Sequence, residues 1–245
     1  MGFWKKVQKW QKDRHPKCAM IVAAAGSSTR MCGGDKLLMS LCGMPVLMRT
    51  LIAIDGAELV DEIVVATREE NLLEVADICS HAGIHKPVKI VKGGQTRTAS
   101  VLAAAMECDP KTELIAVHDG ARPLIQSQEI DALIALGAKT YAVAPAVPVN
   151  DTIKMADENG LVKSTPDRKS LYAIQTPQVF QADILKAALQ AVWESDETVT
   201  DDCAAVERIG KEVYLTEGNR ENLKITTPID LAMAELILRH REGIL

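Results

Sequence analysis

Short apolar runs alternating with segments of helical spacing constrain this chain more than any other feature. Met20, Ile21, Val22 and Ala23 form the first run, and DEIVVAT (61–67), 88–91, ELIAVH (113–118) and 212–216 repeat the theme. Residues 45–54, 69–81, 96–107, 127–136, 181–194, 202–209 and 228–239 lie between or after these runs and read as helices. Such alternation predicts an α/β fold with a mostly parallel sheet and helices on both faces. Ligands in such sheets bind beyond the carboxyl ends of the strands, and Gly26 and Asp119 both fall just after separate strands. The run YAVAPAVPV (141–149) is also extended, and its prolines fit an edge strand or the end of a strand.

Residues 150–178 interrupt the pattern. They are polar, carry Asp151, Lys154, Lys163, Asp167, Arg168 and Lys169, and lack a helical period. A long excursion of this kind in a compact domain usually serves function or reaches a partner. At 245 residues the chain suits one α/β domain. A net charge of −5 argues against broad nucleic-acid binding, and no apolar run is long enough to span a bilayer. The six cysteines are scattered without a C-x-x-C pair, which points to a reducing cytoplasm rather than a disulfide framework or a zinc site. Residues 1–17 form a basic extension ahead of a domain over 18–245. Phe3, Val7 and Trp10 sit at helical spacing, so this extension reads either as a short amphipathic helix or as an irregular leader.

Several loops carry chemistry. The first apolar run opens into Gly26-Ser27-Ser28, followed by Arg30, Gly33, Gly34 and Lys36. A Gly/Ser loop after a strand presents backbone N–H groups to an anion, and two cations can neutralise a polyphosphate. The loop is neither a P-loop nor a dinucleotide fingerprint, because it lacks Gly-Lys-Ser/Thr and the GxGxxG pattern fails at Ser28. Gly93 and Gly94 open a helix at a strand end, where a flat base can approach closely and Ser100 can bond its edge; Arg97 shares that helix face. Asp119 follows a buried strand, where a carboxylate needs a cation or a metal. It is a candidate to hold Mg²⁺ on a triphosphate, with Arg122 either a phosphate contact or a local ion-pair partner; His118 reads as structural. Lys224 lies between Leu223 and Ile225, and strand-like alternation would turn it away from the core, toward a cleft or toward solvent.

Taken in order, AAAGSSTRM, GGQTRTASV, VHDGARPLI, VPVNDTIK, TPQVF, TDD and EGNRENLKITTPIDLAMAE resemble the 2-C-methyl-D-erythritol 4-phosphate cytidylyltransferase family, over about residues 19–238. Two features depart from the family pattern: the Arg30–Lys36 spacing is one residue shorter than in many relatives, and Gln95 stands where an acidic residue is common.

The resemblance implies a Rossmann-like nucleotidyltransferase that moves CMP from CTP to methylerythritol phosphate and releases pyrophosphate, with Mg²⁺ or another divalent cation. It implies a homodimer with a protruding arm within 150–178. Arg30 and Lys36 would stabilise charge on the triphosphate. Ala24, Ala25, Gly26, Gly94 and Ser100 would surround the cytidine, with Gln95 and Arg97 as further substrate contacts. Asp119 would bind the metal or the substrate, and Arg122 would contact substrate. Arg168, supplied by the partner, and Lys224 would position the acceptor, with Thr152 and Thr176 as lesser contacts. Two alternatives stay open: a cytidylyltransferase for another sugar-alcohol phosphate such as ribitol 5-phosphate, and a catalytically silent nucleotide-binding module.

Overall fold

The computed structural model of the chain describes residues 15–26, 35–195 and 197–244. Eight strands form one sheet: β1 (Cys18–Ala24), β2 (Glu62–Thr67), β3 (Val88–Lys92), β4 (Leu114–Asp119), β5 (Ala142–Pro148), β6 (Tyr172–Ile174), β7 (Gln178–Gln181) and β8 (Tyr214–Glu217). From edge to edge the order is β8-β5-β7-β4-β1-β2-β3, and β6 pairs with β5 on the same side as β7, opposite β8. The pairs β4–β1, β1–β2, β2–β3 and β8–β5 are parallel, whereas β7 and β6 insert antiparallel. Every residue of β2 and β4 is buried, as expected for parallel strands covered on both faces.

Period-two alternation sorts β1 between two apolar layers. Met20, Val22 and Ala24 face a layer built with helices α1 (Val46–Asp55), α2 (Leu72–His81) and α4 (Ser127–Thr140), which contributes Leu51, Ile78 and Ile130 among others. Ala19 and Ile21 face the opposite layer, where α3 (Arg97–Glu107), α5 (Ala182–Glu194) and α6 (Asp202–Arg208) bring Val101, Leu185 and Val206. The last helix, α7 (Pro228–Arg241), starts with a capping box between Thr227 and Asp230 and packs Ala234 against Leu41, Leu124 and Ile225. No helix of the described residues is long and apolar enough to cross a membrane.

Two expectations need correction. The proline-bearing run at 141–149 is not an edge strand, because β5 is paired on both sides. Its interior proline is accommodated locally. The Pro145 carbonyl accepts a 2.8 Å bond from the Gln175 N–H in the break between β6 and β7, and the N–H that Pro145 lacks would point the same way. The excursion also ends earlier than residue 178. Gln175 and Thr176 are buried and Gln178 begins β7, so the exposed part is 150–174. It contains a small hairpin, Met155–Ala156 with Val162–Ser164, and a single 3₁₀ turn at Arg168–Ser170. At the other end, Lys17 already belongs to the domain. Its carbonyl accepts from Glu113 and Leu114, and its ammonium lies 2.6 Å from Asp109. The amphipathic reading of Phe3, Val7 and Trp10 lies outside the described residues.

Candidate active site

The parallel registers set Ala23 beside Asp119 and Ala24 beside Thr67, so the carboxyl ends of β1, β2 and β4 open on one side of the sheet. A cavity of about 510 Å³ sits there. Its walls are the loop after β1 (Ala25, Gly26), Lys36, the loop from β3 into α3, and Lys224.

The glycines are where close approach demands them. A Cβ on Gly93 would lie 2.7 Å from the Ala25 Cβ, and one on Gly94 would lie 2.4 Å from the Ala99 Cβ. The first would force the loops after β1 and β3 apart, and the second would push the β3 loop off the first turn of α3. The Ser100 hydroxyl braces this turn: it accepts from the Gly94 N–H at 3.1 Å and donates to the Thr96 carbonyl at 2.8 Å. Thr96 caps α3 by accepting from the Ala99 N–H. The positive end of α3 therefore opens at the cavity beside Gln95 and Arg97.

Charge inside the cavity is lopsided. Among the described residues, Lys36, Arg68, Arg97 and Lys224 line it with a single carboxylate, Asp119, although the chain carries a net charge of −5. Asp119 Oδ2 lies 3.0 Å from Lys224 Nζ and 3.3 Å from Arg122 Nε. Burial would push this carboxyl up, but Lys224, Arg97 and Arg122 together outweigh it and hold Asp119 well below the usual carboxylate range. Burial likewise opposes the charge on Arg97. Asp202, 2.7 Å away, and Asp119 more than offset it and keep the guanidinium charged.

Behind Asp119 a hydrogen-bonded layer fixes its backbone. Thr176 Oγ1 accepts from the Asp119 N–H at 3.0 Å, and the Asn222 amide donates to the Thr176 carbonyl at 2.9 Å. Arg122 Nη1 donates to the Asn222 carbonyl at 2.6 Å. His118 closes the layer, with Nε2 3.2 Å from the Arg122 carbonyl and Nδ1 3.0 Å from Thr176 Oγ1. A carbonyl only accepts, so Nε2 carries the proton and Nδ1 accepts from the hydroxyl. Burial lowers the His118 pKa to about 4, so the imidazole is neutral at physiological pH.

Among the residues expected from the sequence, Ala25, Gly26, Lys36, Gly94 and Gln95 meet at this cavity, as do Arg97, Ser100, Asp119 and Lys224. Five others sit elsewhere. Ala24 is 1 % exposed and faces the core, because its neighbour Ala23 takes the cavity side of the strand. Arg122 and Thr176 are buried in the layer behind Asp119, where they hold the site rather than line it. Thr152 and Arg168 are exposed on the 150–174 excursion, and neither lines the cavity of its own chain; Arg168 Nη1 donates to the Asn150 carbonyl. Arg30 lies outside the described residues. Arg68, unforeseen, lines the cavity from the first position after β2. The signal was available, because the same place after other strands nominated Gly26 and Asp119.

A second cavity, of about 450 Å³, runs along α4 and the loop after β8. Its described lining has two carboxylates, Glu129 and Glu217, and no basic side chain, so it does not suit a triphosphate.

Residues 18–240 match the family described as "IspD: 2-C-methyl-D-erythritol 4-phosphate cytidylyltransferase". The chain belongs to that family. A 2-C-methyl-D-erythritol 4-phosphate cytidylyltransferase of Caldanaerobacter subterraneus is 43 % identical over 221 residues, covering 89 % of this chain and 97 % of the relative. One from Pelotomaculum thermopropionicum is 40 % identical over 231 residues, covering 93 % and 96 %. The crystal structure of the 4-diphosphocytidyl-2C-methyl-D-erythritol synthase of Anaerococcus prevotii superimposes with a TM-score of 0.81 at 30 % identity, covering 92 % of this chain and 99 % of that one. The cytidylyltransferase fold thus accounts for the described domain from β1 into α7.

The buried imidazole gives a pH-dependent outcome. An unfolded histidine takes up a proton near pH 6.5, whereas folded His118 resists until about pH 4. Stability therefore falls as pH drops through that window, by about 3 kcal/mol from this group. Urea unfolding of the metal-free protein between pH 7 and 4 should show that slope, and His118→Gln should flatten it. An unchanged slope in the variant would mean that His118 titrates like a free histidine.

Proposed function

We propose that this chain transfers CMP from CTP to 2-C-methyl-D-erythritol 4-phosphate, in the synthesis of isoprenoid precursors. The observation that carries this reading is the cation-lined cavity at the strand ends, with Lys36, Arg97 and Lys224 around the single carboxylate Asp119, in a chain of the cytidylyltransferase family.

The chemistry needs little from the protein beyond placement. A phosphate-monoester oxygen of the acceptor attacks the α-phosphorus of CTP, the bond to the bridging β-phosphate oxygen breaks, and pyrophosphate leaves. The acceptor phosphate loses its second proton near pH 6, so it is a nucleophile at neutral pH without a general base. Asp119 is held ionised and His118 is neutral and buried, which suits a site that moves charge rather than protons. The obstacle is repulsion between anions and the charge that builds on the triphosphate, which fixed cations oppose. In this reading Arg30 and Lys36 face the triphosphate, and the turn at Gly94 with Gln95 and Ser100 receives the base beside Ala25 and Gly26. Lys224 orients the acceptor.

The donor set also fits a hard divalent cation. Among the described residues no three His, Cys, Asp or Glu side chains cluster as a metal cage, and Asp119 is the only carboxylate on the cavity. Mg²⁺ is commonly held by one or two carboxylates with substrate phosphates and water, so Asp119 would hold it here. Bound there, the ion would neutralise phosphate oxygens. The described cysteines are all unpaired, in keeping with a reducing cytoplasm.

The 150–174 excursion is read as an arm that completes the site of a second subunit. It exposes Ile153, Met155, Leu161, Val162, Tyr172 and Ile174, an apolar set that a partner surface would cover. Arg168 would then contact the acceptor phosphate in trans, with Thr152 nearby on the same arm.

Pyrophosphate release should require CTP, Mg²⁺ and methylerythritol phosphate, with ATP, GTP and UTP inactive. Lys36→Ala should lower kcat by about a hundredfold with little change in CTP affinity, since charge developing in the transition state is what it stabilises. Better turnover with ribitol 5-phosphate would reassign the acceptor, and no turnover with any acceptor would leave a binding module.

Subunit mixing tests the arm. Arg168→Ala and Lys36→Ala chains should each fall to a few per cent of the wild-type rate or less, yet a re-equilibrated mixture should regain a much larger part of it. Each heterodimer holds one site with both lesions and one with neither. No recovery after demonstrated exchange would put Arg168 in its own chain's site or outside any site.

A further inference from the structure

Lys36 stands on a short turn whose two flanks are fixed in unlike ways. On its carboxyl side, Leu37 is 3 % exposed in the apolar layer with Leu47 and Leu51, and its carbonyl accepts from the Leu47 N–H at 2.9 Å. On its amino side the anchor is ionic. The Asp35 side chain is only 7 % exposed, and Oδ2 is ion-paired with Arg68 Nη2 and accepts from Asn71 Nδ2 at 2.7 Å. Oδ1 accepts from the Leu37 N–H at 3.1 Å, and the Leu38 N–H donates to the Asp35 carbonyl at 3.0 Å. The carboxylate thus reaches forward over Lys36 to the next backbone N–H while it is held to Arg68 at the end of β2 and to Asn71 just beyond it.

A buried carboxylate is unfavourable unless paired, and this one is paired to a residue that itself lines the cavity. Asp35 does not line the cavity, so any effect on turnover must run through a neighbour. Among the described residues, the charged side chains that it touches or adjoins and that line the cavity are Arg68 and Lys36; Leu37, which also lines it, is held by Asp35 through its backbone N–H. Leu37 pins the turn on its carboxyl side, and Asp35 adds an anchor on a different strand end, on the amino side of Lys36.

We propose that Asp35, clamped between Arg68 and Asn71, is the positioning residue that fixes Lys36 against the nucleotide's phosphates. The inference rests on the role given to Lys36 under the proposed function and adds to it the device that aims the lysine. Its energetic logic is preorganisation. A long flexible lysine stabilises transition-state charge only if its backbone is already in place, and misplacement by about 1 Å can lower a rate by as much as a hundredfold.

A double-mutant cycle with pyrophosphate release as readout tests this, using variants shown by circular dichroism to be folded. Asp35→Asn keeps the side-chain shape and removes the charge. In the wild-type background it should lower kcat about tenfold while the KM for CTP changes less than about threefold, the pattern of a misaimed transition-state group. In the Lys36→Ala background the same substitution should change kcat by less than about twofold, because the lysine it aims is gone. An equal loss in both backgrounds would overturn the proposal, as would a loss that vanishes in an Arg68→Ala background but persists with Lys36→Ala. The assignment beneath it is checked separately: Lys36→Ala with near-normal turnover would remove the role of Lys36 itself, whatever Asp35 does.

Discussion

The site depends on one buried carboxylate. Asp119 ends a fully buried strand and faces Lys224 and Arg122, with Arg97 adding to the field. Without it these cations would repel one another at the mouth of the sheet, and Lys224, whose loop is anchored on either side by buried Asn222 and Ile225, would lose its partner. With it, the described lining of the cavity is predominantly basic: Lys36 and Lys224 stand there beside Arg68 and Arg97, which are held from behind by Asp35 and Asp202, a setting suited to a polyphosphate. Under the proposed function, this same carboxylate is the one that would hold a cation arriving with the nucleotide.

Division of labour follows from depth. Side chains at the cavity surface carry charge, whereas the layer beneath converts backbone geometry into fixed positions. Thr176, Asn222, neutral His118 and Arg122 form a closed set of hydrogen bonds that joins the end of β4 to the segments before β7 and before Lys224. A neutral imidazole is the right component there, since a positive charge would be repelled by Arg122 and its protonated Nδ1 could no longer accept from the Thr176 hydroxyl. Asp35 with Arg68 and Asn71 does the same work on the other side of the cavity, beneath Lys36.

Much of this was legible in the sequence, for physical reasons that differ by residue. Buried parallel strands announce themselves as unbroken apolar runs, so β1, β2 and β4 and the loops after them were readable, and with them Gly26 and Asp119. Gly94 and Ser100 were found through the glycine pair at a helix start, although Ser100 was expected at the edge of the base and its hydroxyl here braces the turn. Polar residues near the site were harder, because a sequence does not say which side of a backbone a side chain leaves. Arg122 and Thr176 turn inward to build the layer behind Asp119, and a one-residue shift in strand register separates Ala23 at the cavity from Ala24 in the core. The proline-bearing strand was read as an edge or as a strand end because proline lacks a donor; Pro148 does end β5, and the break between β6 and β7 makes the donor missing at Pro145 harmless. Arg68 was passed over because the strand before it looked purely structural. Arg168 could be tied to the site only through the family, since its own chain keeps it on an exposed arm away from the cavity.

The central claim is that fixed charge and placement, with no protein group acting as a base, drive the transfer. The pH dependence of kcat/KM for methylerythritol phosphate at saturating CTP and Mg²⁺ addresses it most directly. The account predicts a single ionisation near pH 6, that of the acceptor phosphate, followed by a plateau to about pH 9. A second ionisation on the rising limb that disappears on replacing a side chain of the site would show a protein base at work and contradict it.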